Sequence, residues 1–144
     1  MAGLCLFKRR IYPMEIKIPT IYEENIDYFI YKNAEVIFKY YSDINEEICV
    51  VFKSVYGFTY IEFDYMDYVE TLLIKRNTWK FGLELIENSP LLDKLVKDNF
   101  PDGNVTRAFG GEMEKVKHYR LAIDDFGFYN ILCKELEIKH DDNI

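Results

Sequence analysis

The chain has 144 residues, a length that fits one domain, 1–144, and its 49% hydrophobic and 30% charged content is a globular balance rather than a disordered one. A formal net charge of −7 argues against nucleic-acid binding, which needs a basic stripe to neutralise phosphates, and suits a basic protein partner instead. Three widely separated cysteines, Cys5, Cys49 and Cys133, include no Cys-x-x-Cys pair, so neither a zinc knuckle nor a redox dithiol is indicated, and reduced thiols in a cytoplasmic protein are the simplest account.

The first 13 residues place their apolar stretch before their basic cluster, the reverse of a secretory signal. The change of character after Pro13 marks 1–13 as a loosely attached extension, with Met14 as a second start. No apolar run approaches the length of a membrane span.

Glu15–Ile18 alternates charged and apolar residues and reads as a short edge strand ending at Pro19. Thr20–Lys32 lacks clean periodicity and reads as a loop or a short helix. From Ala34 the alternation is strong: Val36, Phe38 and Tyr40 share one face, and Ser42–Asn45 supplies turn chemistry. "EEICVVFKSV" is a second strand with a central, continuous apolar run. Gly57 marks a break or a tight connection, after which "FTYIEFDY" forms a third strand. Met66–Asn77 fits helix and strand equally.

"WKFGLELIEN" reads as a further strand. Ser89-Pro90 then starts a helix, with Ser89 as N-cap and Pro90 as the first helical residue. Leu91, Leu92, Leu95 and Val96 lie at helical spacing and make a core-facing stripe, and the helix stops near Asn99. Pro101–Lys117 is a long polar connection containing Gly110-Gly111, with a helical turn expected within Glu112–Lys117.

Tyr119, Leu121 and Ile123 alternate with His118, Arg120 and Ala122, the pattern of a half-buried strand. Phe128–Cys133 is its partner, and Asp124 to Gly127 between them is read as a hairpin tip rather than a carboxylate pair. The predicted fold class is α+β: an antiparallel-rich sheet of about six strands with one clear helix packed on a face. His140 falls in a frayed tail.

No serine lies in a Gly-x-Ser-x-Gly context and no His-based dyad is evident along the chain. The residues imply no catalytic group, no metal site and no cofactor. The more informative stretch is "YIEFDYMDYVE". It sets Glu62, Asp64, Asp67 and Glu70 among Tyr60, Tyr65 and Tyr68, with no Lys or Arg between them. Tyrosine brings contact area at low entropic cost and carboxylates match basic groups, so these seven residues form the candidate partner surface. The alternative is a small enzyme or ligand-binding domain whose site uses His118, Arg120 and Asp124, with Pro101–Lys117 as a lid.

Two segments, "LELIENSPLLDKL" and "KHYRLAIDDFGFYNILCKELEI", occur in an order that resembles small uncharacterised bacterial proteins similar to immunity proteins of polymorphic toxin systems. The resemblance covers roughly the last 60 residues. It implies a cytoplasmic α+β domain that binds and neutralises a toxin, and it brings no catalytic residues.

Overall fold

The computed structural model describes residues 12–19, 21, 25–62, 82–123 and 127–141. They form a seven-stranded sheet and one α-helix, so the strand number is seven rather than about six. The strands are β1 (Tyr12–Ile16), β2 (Ile26–Lys32), β3 (Glu35–Tyr41), β4 (Glu47–Glu62), β5 (Gly82–Glu87), β6 (Lys117–Ile123) and β7 (Gly127–Asp141), and the helix is α1 (Pro90–Asn99). The sheet order is β1-β5-β6-β7-β4-β3-β2, and every neighbouring pair is antiparallel.

Alternation in β3 works as the sequence indicated. Val36, Phe38 and Tyr40 are fully buried and face Phe52, Val50 and Ile48 of β4 across the ladder. Leu83, Leu121, Ile123, Ile131 and Cys133 extend this core across β5, β6 and β7. The sheet is strongly curled. Phe29 on the edge strand β2 stacks on Tyr129 of β7 with ring centroids 4.3 Å apart, although three strand spacings on a flat sheet would separate them by about 14 Å. The apolar core fills the concave side.

β1 and β2 follow one another in the chain but occupy opposite edges, so their connection must cross the sheet. Its described residues lie over the core: Ile18 and Ile21 pack against it, and the Tyr40 hydroxyl donates a 2.6 Å hydrogen bond to the Pro19 carbonyl.

Three expectations are corrected. Residues 26–32, read within a loop or short helix, are the edge strand β2, joined to β3 through Asn33 and Ala34, both at positive φ (53° and 59°). That geometry belongs to a two-residue hairpin turn, which Asn favours and Ala does not announce. Gly57 does not break the chain into two strands. It lies in a bulge within the 16-residue β4, where the register against β7 shifts between Val55 and Gly57 and Tyr56 is the inserted residue. A Cβ at Gly57 would come within 3.2 Å of Leu132 Cδ1, so glycine permits the close approach of the two strands. Finally, His140 is part of β7, opposite Ile48, with Nδ1 2.9 Å from Glu46 Oε1.

The helix begins and ends where its sequence signals lie. Ser89 Oγ accepts the Leu92 N–H at 3.0 Å, Pro90 occupies the first turn, and Asn99 is the last helical residue. Two short 3₁₀ turns, Ala108–Gly111 and Met113–Lys115, occupy the long connection to β6. Among the described residues no helix is long and apolar enough to cross a membrane. Cys133 is part of the core, whereas Cys49 is only half-buried.

Burial pushes the Cys133 thiol up to about 12 from 9.0, and raises the phenols of Tyr40, Tyr119 and Tyr129 above the usual tyrosine value. The folded state therefore keeps protons that the unfolded chain releases. The contribution of Cys133 is complete below about pH 9 and is lost as the pH rises through about 12. Urea midpoints should be flat around neutrality and fall steadily above pH 9. In native protein at pH 8, mass spectrometry should find Cys133 unmodified by a thiol reagent that labels it once urea is added.

Candidate functional site

β6 runs through the sheet between β5 and β7 and is buried on both faces from His118 to Ile123. It is not the half-buried strand its alternation suggested. α1 and the 3₁₀ turns, with Val96, Ala108 and Val116 buried, cover the face that carries His118 and Arg120. A period of two puts those two side chains on the same side, and the ladder brings Glu84 of β5 and Asn130 of β7 directly opposite Arg120.

Desolvated polar groups in such a place must find partners. Arg120 Nη2 donates to Glu84 Oε1 at 2.7 Å, with both side chains at most 3% exposed. The guanidinium also lies 5.3 Å from the Phe128 ring centroid. Above this pair runs a second chain: Ser89 Oγ is 2.6 Å from His118 Nδ1, and His118 Nε2 is 2.7 Å from Asn130 Oδ1. The partners set the tautomer. Asn130 Oδ1 only accepts, so Nε2 carries the proton, and Nδ1 is left to accept from the Ser89 hydroxyl. Ser89 can do this because its remaining lone pairs serve the Leu92 N–H.

The structure thus brings His118 and Arg120 together as the alternative site required, but inside the protein, each in its own hydrogen-bonded set. Asp124 and Asp125 lie outside the described residues, although the strands flanking them pair as far as Ile123 opposite Gly127. Ser89, Glu84 and Asn130 were not singled out as members of a site, and the Ser89–His118 contact is the dyad that chain order concealed. The available signal was a polar residue inside an apolar strand: Asn130 in "FYNILC" and Glu84 in "LELI". A small open cleft of about 220 Å³ adjoins this cluster, lined by Asn88, Ser89, Leu92, Val116 and His118 among others.

Of the proposed partner surface, Tyr60 is described: it is 45% exposed on β4, its ring 4.7 Å from that of Tyr129. Glu62 ends β4 opposite Gly127. Asp64, Tyr65, Asp67, Tyr68 and Glu70 lie outside the described residues. The large exposed side chains described near Tyr60 are aromatic. Tyr56 and Phe58 on β4, and Tyr31 on β2, are all exposed, and the last three line a shallow cleft of about 260 Å³. Tyr56, at the bulge, also meets Phe109 edge-on at 4.9 Å and borders a groove of about 470 Å³ with Leu95, Val96 and Phe100. The helix stripe is therefore only partly core: Val96 is buried, whereas Leu91, Leu92 and Leu95 are half-buried.

Several described carboxylates are held by the chain's own lysines. Lys39 bridges Glu47 and Asp27, Lys53 pairs with Glu137, and Glu112 holds Lys115 at 2.6 Å and Lys134 at 3.0 Å. The two lysines beside Glu112 hold its carboxyl below the usual range, and Lys53 does the same for Glu137. Among the described residues no three His, Cys, Asp or Glu side chains are grouped to hold a metal ion. Comparison with protein-family models, curated protein sequences and solved structures returned no match in any of the three.

Removing one member of the buried pair isolates the other from its counter-charge. Glu84→Ala should lower unfolding free energy by about 3–5 kcal/mol in urea denaturation, whereas the apolar double replacement Glu84→Leu/Arg120→Met should restore most of the loss.

Proposed function

We propose that this chain is a protein-binding domain that recognises a basic partner. A toxin domain neutralised inside a bacterial cell is the partner that the resemblance to immunity proteins suggests. The observation that carries the reading is the pair of exposed aromatic side chains Phe58 and Tyr60 on one face of β4, with Tyr31 beside Phe58 and Tyr56 exposed at the bulge. Large apolar groups grouped on a surface favour contact with another macromolecule, and aromatic rings concentrate binding energy at interfaces. The ladder fixes their backbone, so little freedom is lost on binding.

Charge adds direction. The chain carries 25 acidic against 18 basic residues, and this excess attracts a basic surface and speeds encounter. Glu62, Asp64, Asp67 and Glu70 continue the chain from the aromatic pair and are proposed as the carboxylates that meet the partner, with Tyr65 and Tyr68 among them. Neutralisation of this kind works by occlusion and needs no catalytic group. A cytoplasmic location belongs to the same proposal.

The test is capture of the partner from the source cells, followed by titration with purified components. Phe58→Ala and Tyr60→Ala should each weaken affinity at least tenfold, and Glu62→Lys/Asp64→Lys should flatten its salt dependence. Unchanged affinity in the two aromatic variants would remove the reading.

A further inference from the structure

The chain Ser89–His118–Asn130 goes beyond what packing requires of a helix cap. A cap needs only that Ser89 Oγ accept the Leu92 N–H, which it does at 3.0 Å. Here the same oxygen also points its proton at an imidazole nitrogen 2.6 Å away, and the far nitrogen of that ring is held by Asn130 at 2.7 Å. Hydroxyl, imidazole and orienting acceptor stand in the relation that activates a serine nucleophile. Ser89 and His118 both border the open cleft of about 220 Å³. Asn88, just before the serine, adopts φ 55°, the left-handed turn that swings the chain from β5 into α1 and sets Ser89 at the helix start. The positive end of α1 lies beside Ser89, which caps it.

We infer that Ser89, His118 and Asn130 form a nucleophilic site for esters of short acyl groups. Ser89 Oγ attacks the ester carbonyl carbon while its proton passes to His118 Nδ1. The bond to the leaving alkoxide breaks, and the alkoxide takes that proton. Water then attacks the acyl-serine, giving a proton to His118, which returns it to Ser89 Oγ as the carboxylic acid leaves. Asn130 is a positioning residue: by accepting Nε2–H it keeps Nδ1 unprotonated and turned to Ser89, able to act as base. The cleft is smaller than pockets that enclose drug-sized ligands, and its wall sets Leu85, Leu92 and Val116 beside Glu87, Asp93 and Lys117, so the acyl group it takes is short, seated on the apolar part of the wall. This site lies on the helix-covered face, opposite the one that carries Phe58 and Tyr60, and stands or falls independently of protein binding.

The experiment uses the full chain and a short-alkyl fluorophosphonate probe, with the adduct located by mass spectrometry and folding followed by circular dichroism. The native chain should take up one probe, on Ser89, and the urea-unfolded chain none there. Ser89→Asn, which retains a capping side chain, should show no adduct. His118→Gln should slow labelling at least about a hundredfold, the usual effect of losing a general base. Asn130→Ala should slow it less, and Asn130→Asp, which again offers an acceptor to Nε2–H, should restore it. A folded native chain with no adduct on Ser89 overturns the inference, as does labelling of folded His118→Gln at the native rate. Equal rates in both Asn130 variants and the native chain remove Asn130 from the site. p-Nitrophenyl acetate should be turned over faster than the decanoate ester, and the reverse order would overturn the assigned substrate class.

Discussion

A strand buried on both faces governs much of this molecule. β6 lies inside the sheet with the concave core on one side and α1 with its following turns on the other, yet its sequence supplies His118 and Arg120 to the second side. Burying a cation and an imidazole is costly unless each is satisfied. The neighbours opposite them are therefore polar: Glu84 takes Arg120, Asn130 takes one nitrogen of His118, and Ser89 takes the other. Through Ser89 the same network reaches the helix. One side chain caps α1 and ties it to the sheet, so the position of the helix, the tautomer of His118 and the shape of the adjoining cleft depend on a single set of hydrogen bonds.

The curl of the sheet is the second constraint. Long paired strands β4 and β7 bring the edge strand β2 round until Phe29 meets Phe58 and Tyr129. This closes an aromatic seam on the concave side, while the connection between β1 and β2 lies across the core. The bulge at Tyr56 locally breaks the alternation in β4. Its extra residue sends Tyr56 toward Phe109 and Lys134 on the helix side, whereas Phe58 and Tyr60 join the seam. The aromatic groups that carry the proposed interaction thus emerge on both sides of one strand.

The charged surface is divided in its role. Across β3, β4 and β7, lysines and carboxylates alternate and neutralise one another, as Lys39 with Glu47 and Lys53 with Glu137. Exposed pairs of this kind contribute little to stability and leave little field for a partner to sense. The net charge of −7 must then be expressed by the remaining carboxylates, which makes the acidic run following β4 the natural source of any steering.

Local signals in the chain determined a good deal: the alternation of β3, the turn at Ser42–Asn45, the Ser-Pro start of α1 and its end at Asn99 all rest on short-range dihedral preference and side-chain period. Other features depend on what lies across space. β6 looks half-buried in one dimension because His118 and Arg120 are polar; only α1 folding over them makes that face interior. Ser89, His118 and Asn130 are separated along the chain by 29 and 12 residues, and no spacing rule joins them. Antiparallel register and helix docking bring them into contact, so a hydrogen-bonded site of this kind is decided by tertiary structure alone.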